Sequence, residues 1–501
     1  MTAARRREKK RILIVTPEIT YLPKGMGNLA NHLHAKAGGL ADVSATLAAT
    51  LYEQGADVHV ALPHYRQMFH VNVGHFINEE LRIYKSKMPE ERIHLAEDRI
   101  FYYREKVYDD YAAINMKLAL VFQREVINNI IPRVNPDIIH CNDWMTGLIP
   151  AIARRQNILS LFTVHNIFSL KTNLEHIEEV GIDSREFWRY LYFDRAPQSF
   201  SDSYKTNYVD FLASGIFAAD FINTVSPNFL LEIVDGHHSF VKDHLRREIV
   251  NKYHAGLAAG VLNSPDPKYN PRTDKALIRR YSDETYAEGK RENKVKLQQF
   301  LGLDVDPNAP LFYWPSRLDP IQKGCQLLAD ILFSIVSDYA RYKLQVVMVA
   351  NGPFQTHFNE IVELHDVPNR ISVVDFDERL SHVAYAASDF LFMPSLYEPC
   401  GLPQMIGPIY GTLPVARDTG GIHDTVQHLN VAANKGNGFL FKHYDARGLR
   451  WAVDQAMAFH LLPKTVKATQ IQRIMKESLD QFNHSVTAKR YIEIYRKILN
   501  V

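Results

Sequence analysis

Cysteine is scarce in this chain, with only three in 501 residues. Cys141, Cys325 and Cys400 lie far apart, and no two of them have the C-x-x-C spacing of a zinc site or a redox motif. This spacing and the odd number exclude a disulfide framework of the kind that staples small secreted domains. The scarcity therefore predicts a protein of a reducing compartment, and we expect a cytoplasmic location.

Long hydrophobic runs are also missing near the amino end. The first apolar stretch, ILIV, begins at Ile12 and is far too short for a secretion signal or a membrane-spanning helix. We therefore expect no membrane association. The stretch before it, MTAARRREKK at 1–10, is interpreted as a basic, solvated tail, and a nucleic-acid-binding arm is the alternative.

An excess of charge of either sign is absent as well. The 58 Lys and Arg residues and the 56 Asp and Glu residues leave a formal net charge of +2. A protein that binds duplex nucleic acid needs many basic residues on one face to neutralise phosphates. We therefore expect no nucleic-acid partner, although the charge is compatible with a small anionic ligand.

The chain does contain a repeated alternation of short β-rich runs and longer helical runs. RILIVTPE, DVHVALP, PDIIHCND and LSLFTVHN are typical of buried strands, and GLADVSATLAATLYEQG is typical of a helix. Such alternation predicts βαβ units around a parallel sheet. It restarts after the turn-rich segment 262–272, and 501 residues exceed one ordinary core. We predict an α/β protein of two Rossmann-like domains.

The predicted boundaries follow from these patterns. The basic tail covers 1–10, the first domain 11–264 and the second domain 265–479, with a domain boundary near Ser264. The segment RIHLAEDRIFYYREKVYDDYAA, at 92–113, breaks the alternation and is predicted to contain a β-hairpin. We assign no chemistry to that segment.

The first candidate site is the motif KAGGLADV, which follows the first predicted strand. Gly38 and Gly39 open a helix, so their N–H groups lack intrahelical partners and favour a phosphate. Lys36 adds a full positive charge. The alternative is a glycine-rich turn that only lets the chain enter the helix.

The second candidate site follows the first strand of the second domain, in SRLDPIQKG. Arg317 and Lys323 stand at the end of a sheet where ligands bind in α/β folds. A planar guanidinium and an ammonium are suited to hold a diphosphate. Two basic residues in an ordinary surface loop are the alternative.

The third candidate site is EPCGLPQ, after the predicted strand DFLFMPS. Glu398 is expected to accept hydrogen bonds from sugar hydroxyls, and Gly401 and Leu402 to present backbone N–H groups at a helix start. The Cys400 thiol needs no role. A turn at the end of the next strand is expected on the other side of the same ligand; it contains Thr419, Gly420 and Gly421.

Histidines and acids also follow strands of the first domain. His165 in FTVHN and Asp143 in HCNDW are candidates for the same ligand, although strand-end residues of these types are often structural. The pairs His32/His34 and His237/His238 lack carboxylate or cysteine companions at ligand spacing, so we interpret them as surface residues. Asp375 and Asp377 form a short D-x-D that only weakly indicates a metal.

The motifs together resemble a known family. KAGGLADV, HCNDW, FTVHN, NTVSP, GVLN, SRLDPIQKG, PSLYEPCGLPQ, YGTLPVARDTGGIHDTV and AKRYIEIYRKIL stand in the order seen in glycogen and starch synthases. The resemblance extends from about Arg11 to Val501. It implies the GT-B fold, with two Rossmann-like domains facing a deep cleft and a last helix, 480–501, that crosses back onto the first domain.

The resemblance also implies an activity. These enzymes are hexosyltransferases that move glucose from a sugar nucleotide, usually ADP-glucose, to the nonreducing end of an α-1,4-glucan with retained configuration. The implied partners are therefore a nucleotide sugar donor and an α-glucan acceptor, and neither a metal nor another cofactor is expected. Two alternatives remain: a GT-B transferase with UDP-glucose or a short sugar acceptor, and a nonenzymatic protein that binds glucan or nucleotide.

The family's functional positions can be carried over one by one. Lys36 and Gly39 match the loop at the donor phosphates, Asp42 and Asp143 match acids of the cleft, and His165 matches the histidine on the transferred glucose. Asn263 matches a further residue of the donor side, and Arg317 and Lys323 match the pair at the leaving diphosphate. Glu398 matches the acid that holds the donor glucose, and Cys400, Gly401 and Leu402 match its backbone neighbours.

The chain departs from the family pattern near these positions. Pro403 stands where the family usually has threonine, and the spacing from Arg317 to Lys323 is one residue longer than usual. Segments 167–169 and 235–240 also differ from the usual motifs.

Overall fold

The computed structural model describes residues 9–27, 29–69 and 92–500. Residues 1–8 of the predicted tail lie outside this part of the chain. The described residues divide into two compact units. The first contains the chain up to Val225 together with 230–263 and 484–500, and the second contains 226–229 and 264–483. The main division therefore falls between Asn263 and Ser264.

A parallel sheet forms the centre of the first unit. Leu13, Ile14 and Val15 are fully buried, as expected for strands whose two faces are both covered. The seven strands of this sheet are β1 (Arg11–Val15), β2 (Asp57–Pro63), β3 (Ile93–Ala96), β4 (Ile138–Asn142), β5 (Leu159–Val164), β8 (Phe221–Thr224) and β9 (Ala258–Gly260), and a separate antiparallel pair is formed by β6 (Lys171–Thr172) and β7 (Val209–Asp210).

The strand order in this sheet is β3-β2-β1-β4-β5-β8-β9. The winding reverses between β1 and β4, and such a switch point opens a crevice at the carboxyl ends of the strands. The α-helices of the unit are α1 (Gly39–Glu53), α2 (Arg99–Tyr102), α3 (Ala112–Glu125), α4 (Ile131–Val134), α5 (Ile149–Arg155), α6 (Leu174–Glu179), α7 (Phe200–Ser203), α8 (Phe211–Ala218), α9 (Pro227–Asp235, whose first residues cluster with the second unit), α10 (Asp243–His254) and α19 (His484–Leu499).

The prediction of a β-hairpin at 92–113 is wrong. Residues 93–96 form β3, which pairs in parallel with β2, and the chain then turns into α2. Asp98 caps that helix by accepting a hydrogen bond from the N–H of Ile100. The run of apolar and aromatic residues suggested two paired strands, but only the first of them finds an open sheet edge.

The last helix, α19, packs on the first unit's own sheet. It begins at His484, four residues later than predicted, because the preceding helix ends at Gln481. The Tyr495 hydroxyl lies 2.8 Å from Nδ1 of His140 in β4, and Nε2 of His140 lies 2.7 Å from Oγ1 of Thr163 in β5. Because Thr163 donates its own proton to Asn223, His140 donates through Nε2 and accepts from Tyr495. This buried chain of hydrogen bonds fastens α19 to three strands.

The second unit also contains a parallel sheet. If its six strands are numbered along the chain, their order in the sheet is 3-2-1-4-5-6, which is the Rossmann order. The winding therefore reverses between its first and fourth strands. The strands are β10 (Leu311–Trp314), β11 (Gln345–Val349), β12 (Ile371–Val374), β13 (Phe390–Met393), β14 (Leu413–Arg417) and β15 (Phe439–Phe441).

Helices cover both faces of this second sheet. Two clusters of buried apolar side chains lie on its two sides; Phe312 stacks on Phe392 in one, and Tyr313 packs edge-on against Tyr385 in the other. The helices are α11 (Tyr286–Leu301), α12 (Cys325–Asp338), α13 (Gln355–Leu364), α14 (Glu378–Ala387), α15 (Pro403–Ile409), α16 (Gly420–Thr425), α17 (Ala446–His460) and α18 (Lys464–Gln481). Across the described ranges, no helix combines the length and the apolar character needed to cross a membrane.

Candidate active site

The glycine loop before α1 is anchored by an acid that the sequence did not single out. Glu18 follows β1, and its Oε2 accepts hydrogen bonds from the N–H groups of Ala37 at 2.8 Å and Gly38 at 2.9 Å. The prediction that both Gly38 and Gly39 offer free N–H groups is therefore wrong for Gly38. The signal that could have identified Glu18 is its position, directly after a strand at the edge where ligands bind.

Gly39 and Lys36 contribute the other polar groups of this loop, a backbone N–H and an ammonium. Gly39 opens α1, and its N–H has no hydrogen-bond partner among the residues that the structure describes. Lys36 Nζ lies 2.7 Å from Oδ2 of Asp42, which places the ammonium over the first turn of the helix. Oδ1 of Asp42 is buried and makes no hydrogen bond with a described residue. The loop therefore combines one exposed amide, one cation and one unsatisfied carboxylate oxygen.

Tyr108 and Asp143 surround Glu18 on its other side. The Tyr108 hydroxyl donates to Oε1 of Glu18 at 2.8 Å, and burial raises the pKa of Glu18 although its three hydrogen-bond donors oppose the rise. Asp143 directly follows β4, and burial together with the nearby Glu18 raises its pKa to about 8. Two acids that disfavour each other's ionisation thus stand at the β1/β4 switch point.

Asp143 is held in an unusual backbone conformation. Its φ of 63° and ψ of 178° are sparsely populated by residues other than glycine, so the surrounding contacts must maintain them. Oδ2 accepts a hydrogen bond from Asn166 at 2.8 Å, whereas Oδ1 is buried without a partner among the described residues. A strained, buried carboxyl group with one unused oxygen is typical of a functional site.

His165 follows β5, next to Asp143 in the sheet order. Its Nε2 lies 3.0 Å from Oδ1 of Asn142, whose Nδ2 donates to the carbonyl of Val15. This second contact fixes the amide, so Nε2 of His165 carries the proton and Nδ1 is left as an acceptor. Burial lowers the pKa of His165 to about 3. A neutral imidazole with a free acceptor is suited to a sugar hydroxyl.

Asn263 lies at the end of the first unit, shortly after β9. Its side chain is buried, and Oδ1 has no hydrogen-bond partner within the described part of the chain. The first unit thus gathers Lys36, Gly39, Asp42, Asp143, His165 and Asn263 in segments that follow the carboxyl ends of its strands. His140, which the sequence placed in the same motif as Asp143, points instead toward α19.

In the second unit, Glu398 and Lys323 meet directly. Lys323 Nζ lies 2.6 Å from Oε2 of Glu398, and the two side chains are 12% and 6% exposed. Ser395 donates to the same carboxylate oxygen at 3.1 Å. The sequence assigned Lys323 to a phosphate and Glu398 to a sugar, and the structure places these two side chains at adjoining points after β10 and β13.

Arg317 stands apart from this ion pair. The side chain is exposed and forms no ion pair with any of the described carboxylates. The guanidinium is close enough to Tyr397, the residue before Glu398, to act on its ionisation. Arg317 is therefore an unneutralised cation beside the Glu398 loop.

The two loops at this end of the sheet pack backbone against backbone. The N–H of Gly421 donates to the carbonyl of Glu398 at 2.9 Å. A Cβ on Gly420, whose φ is 46°, would lie 2.0 Å from that same carbonyl oxygen, and a Cβ on Gly421 would lie 2.0 Å from the oxygen of Cys400. Glycine is required at both positions, and Thr419 is buried beside them.

Pro403 fits the start of α15. Leu402 is the N-cap and Pro403 occupies the first helical position, where an N–H would have no intrahelical partner. The side chain of Gln404 donates to the carbonyls of Cys400 at 2.7 Å and Gly401 at 2.8 Å. The loop that presents Glu398 is therefore held from the helix that follows it.

One member each of the His237/His238 and Asp375/Asp377 pairs has a structural role. His238 is not a surface residue, because only 7% of its side chain is exposed and Nε2 lies 2.8 Å from Glu232. Asp377 caps α14 by accepting from the N–H of Leu380. In the chain as described, no group of three or more His, Cys, Asp or Glu side chains is arranged to hold a metal ion. The expectation that no metal is needed stays a prediction.

Profiles of known families match both halves of the chain. The starch synthase catalytic domain matches residues 11–248, and the group 1 glycosyl transferases match residues 309–458. These ranges contain the two groups of candidate residues, apart from Asn263.

Curated relatives and a solved structure extend over nearly the whole length. The glycogen synthase of Exiguobacterium sibiricum is 33% identical over 92% of this chain and 96% of its own length. The glycogen synthase of Moorella thermoacetica is 32% identical over 98% of this chain and 97% of its own. The catalytic domain of starch synthase IV from Arabidopsis thaliana, solved with ADP and acarbose, superimposes with a TM-score of 0.78 at 23% identity, covering 99% of this chain and 100% of that one.

The structural likeness shows the GT-B fold, and the sequence likeness is full-length and above 30% identity. The predicted resemblance is thus confirmed, and the chain belongs to the glycogen and starch synthase family of glycosyltransferases.

Proposed function

We propose that this protein is a retaining glucosyltransferase that extends an α-1,4-glucan with glucose from a sugar nucleotide, with ADP-glucose as the donor. The observation that carries the proposal is the full-length similarity to glycogen synthases, in a chain that keeps Lys36, His165, Arg317, Lys323 and Glu398.

The second unit supplies groups for the leaving nucleotide diphosphate. This group gains negative charge as the glucosyl carbon becomes cationic, so cations fixed at its position lower the barrier. Arg317 is exposed and unneutralised, and Lys323 is fixed by Glu398. Each such donor typically contributes about 3 kcal/mol, or a hundred- to a thousandfold in rate.

The first unit supplies groups for the transferred glucose. His165 offers a neutral imidazole acceptor, and Gly39 and Lys36 offer an N–H and a cation to the donor phosphates. A retaining transfer needs no separate protein base if the departing phosphate removes the proton of the acceptor hydroxyl on the same face. The two unsatisfied carboxylate oxygens, on Asp42 and Asp143, are then free to accept hydrogen bonds from sugar hydroxyls.

The reaction is proposed to take place in the cytoplasm and without a cofactor. Cys141, Cys325 and Cys400 are all free and buried, which suits a reducing compartment. The donor and the glucan are the only partners that the proposal requires.

The experiment that tests this function measures the release of nucleotide diphosphate by the purified protein. ADP-glucose and UDP-glucose are each supplied with glycogen, without acceptor, and with short sugars. We expect release that depends on glycogen and is faster with ADP-glucose. Absence of glycogen-dependent release with either donor would exclude the proposal, and release only with short sugars would support the other GT-B transferase.

A further inference from the structure

The second unit contains a pocket that lies away from the candidate active site. Its volume is about 370 Å³, which is within the range of about 300–1,000 Å³ for small-molecule sites. It is lined by residues that precede β13 and β14, including Asp389 and Gly411, and by residues of α11, α17 and α18. Arg317 and Glu398 follow the other ends of the strands, so the sheet separates the two sites.

Basic side chains dominate the lining of this pocket. Five lysines or arginines and one histidine face two carboxylates, Glu284 and Asp389. We call this group the lysine pocket; its basic members are Lys290, Arg291, Lys294, His460, Lys464 and Lys467.

Only one of these cations is neutralised by a carboxylate. Lys294 Nζ lies 2.5 Å from Oδ2 of Asp389. Lys290, Arg291, Lys464 and Lys467 form no ion pair with any carboxylate that the structure describes. Lys290 donates only to neutral oxygens, the carbonyl of Tyr410 at 3.1 Å and Oγ1 of Thr412 at 2.8 Å.

Burial makes this arrangement unfavourable without a counter-charge. Lys290 is 7% exposed, and a buried ammonium that makes no ion pair destabilises a fold. Burial lowers the pKa of Lys290 to about 7; Asp389 opposes this shift and the neighbouring Lys294 adds to it. Burial lowers the pKa of Lys467 as well; Asp389 opposes this shift, and Lys294 and Lys464 add to it. The cations therefore repel one another across the pocket.

The start of α18 also favours an anion in this pocket. Lys464 and Lys467 stand in the first turn of this helix of 18 residues, where the helix dipole disfavours cations and favours anions. The Nζ of Lys467 reaches the carbonyl of His460, the last residue of α17, at 2.6 Å. This contact holds the ammonium beside the pocket.

We propose that the lysine pocket is a binding site for a small phosphorylated compound or inorganic phosphate, with Lys290 and Lys467 as the main ligands of the phosphate group. A phosphate dianion would neutralise the unpaired cations and would also satisfy the start of α18. The site is separate from the donor site and does not depend on the proposed function.

The first test is a titration of the full-length protein with inorganic phosphate and with a hexose 6-phosphate, followed by thermal shift and calorimetry at constant ionic strength. We expect a saturable rise in Tm for the preferred compound. Lys467→Gln and Lys290→Met should each weaken binding by about tenfold or more, because each removes one charged hydrogen-bond donor. The relative affinities distinguish free phosphate from a phosphorylated sugar.

Two control variants make this test specific. Lys296→Gln removes an exposed lysine from the same helix, α11, and should leave the affinity unchanged. Arg317→Ala removes an unpaired cation of the candidate active site and should also leave it unchanged. Equal weakening by Lys296→Gln, loss of binding in Arg317→Ala, or an equal Tm shift with chloride would overturn the proposal.

A second readout is the uptake of a proton by Lys290 when phosphate binds. At pH 8, Lys290 is largely neutral in the free protein, and a bound phosphate should raise its pKa and draw a proton from solution. Calorimetry in buffers of different ionisation enthalpy should show this uptake, and Lys290→Met should abolish it. Binding without proton uptake would exclude Lys290 as a phosphate ligand.

Discussion

Two kinds of side chain share the EPCGLPQ loop, and the structure gives them different roles. Glu398 is buried and ion-paired to Lys323, whereas Cys400 contributes its carbonyl to the contact with Gln404. The carboxylate of Glu398 therefore fixes the Lys323 ammonium, and the thiol of Cys400 does not enter these contacts.

This difference predicts the outcome of two substitutions in one loop. Glu398→Ala should lower kcat by about a thousandfold or more, because it removes a sugar contact and leaves the buried Lys323 unpaired. Cys400→Ser should keep most of the activity. Steady-state rates of nucleotide diphosphate release measure both, and an equal loss in the two variants would contradict the assignment.

Glu18 is expected to act as a positioning residue. Glu18→Gln removes a charge next to Asp143, so the pKa of Asp143 should fall below its value of about 8. Because the ionised form of Asp143 is the one proposed to accept from the sugar, we expect the acidic limb of the pH profile of kcat/KM to move to lower pH. We also expect the KM for the donor to rise about fivefold as the glycine loop loosens. Tyr108→Phe keeps the carboxylate and serves as the control.

An unchanged limb in Glu18→Gln would contradict the coupling between the two acids. A general loss of stability could not produce the shift, because unfolding lowers activity at every pH.

At the scale of elements, two glycines of the candidate site differ in whether the fold leaves room for a side chain. A Cβ on Gly420 would collide with the carbonyl of Glu398, and φ is also positive there, whereas a Cβ on Gly38 meets nothing within 4 Å. Gly420→Ala should therefore lower the free energy of unfolding by about 2 kcal/mol or more and displace the Glu398 loop. Gly38→Ala should leave Tm almost unchanged. Equal Tm values in calorimetry would show that the loops can separate at no cost.

The last helix provides a second prediction at this scale. Tyr495→Phe removes the donor to His140 and leaves a buried ring nitrogen unsatisfied, at a cost of about 1–3 kcal/mol. Tyr103, which is 77% exposed, gives the matched control Tyr103→Phe, for which we expect little change. Chemical denaturation and amide exchange in β4 measure the effect. No difference between the two variants would mean that this hydrogen bond does not hold α19.

At the scale of the whole molecule, buried histidines set the response to acid. Burial lowers the pKa of His59 to about 4 and that of His94 and His140 to about 3. These rings stay neutral in the folded protein, whereas the unfolded chain protonates them below about pH 6.5. The unfolded state then binds more protons, so stability falls as the pH decreases from about 6.5, by about 1.4 kcal/mol per pH unit for each histidine.

Calorimetry between pH 7 and pH 5 checks this prediction, and Tm should decline steadily. Asp143 contributes with the opposite sign, because its raised pKa lets the folded state hold an extra proton between about pH 4 and about pH 8. A Tm independent of pH over this range would contradict the histidine assignment.

The amino-acid sequence by itself determined the α/β class and the family, and it named most of the candidate site residues. The evidence for these predictions is local. It consists of apolar runs in strands, glycines at helix starts and polar residues after strands, and each depends on residues that are close in the sequence. These patterns place His165, Arg317 and Glu398 after strands, and Lys36 before a helix, without knowledge of any contact.

The tertiary structure alone decided which groups meet and how they ionise. Glu18 takes the Gly38 amide from 20 residues away, Lys323 pairs with Glu398 across 75 residues, and His140 bonds Tyr495 across 355. The lysine pocket likewise joins α11 to the consecutive helices α17 and α18, which lie much later in the chain. Such partners are chosen by the strand order and by burial, and both are properties of the packed chain that no local pattern encodes.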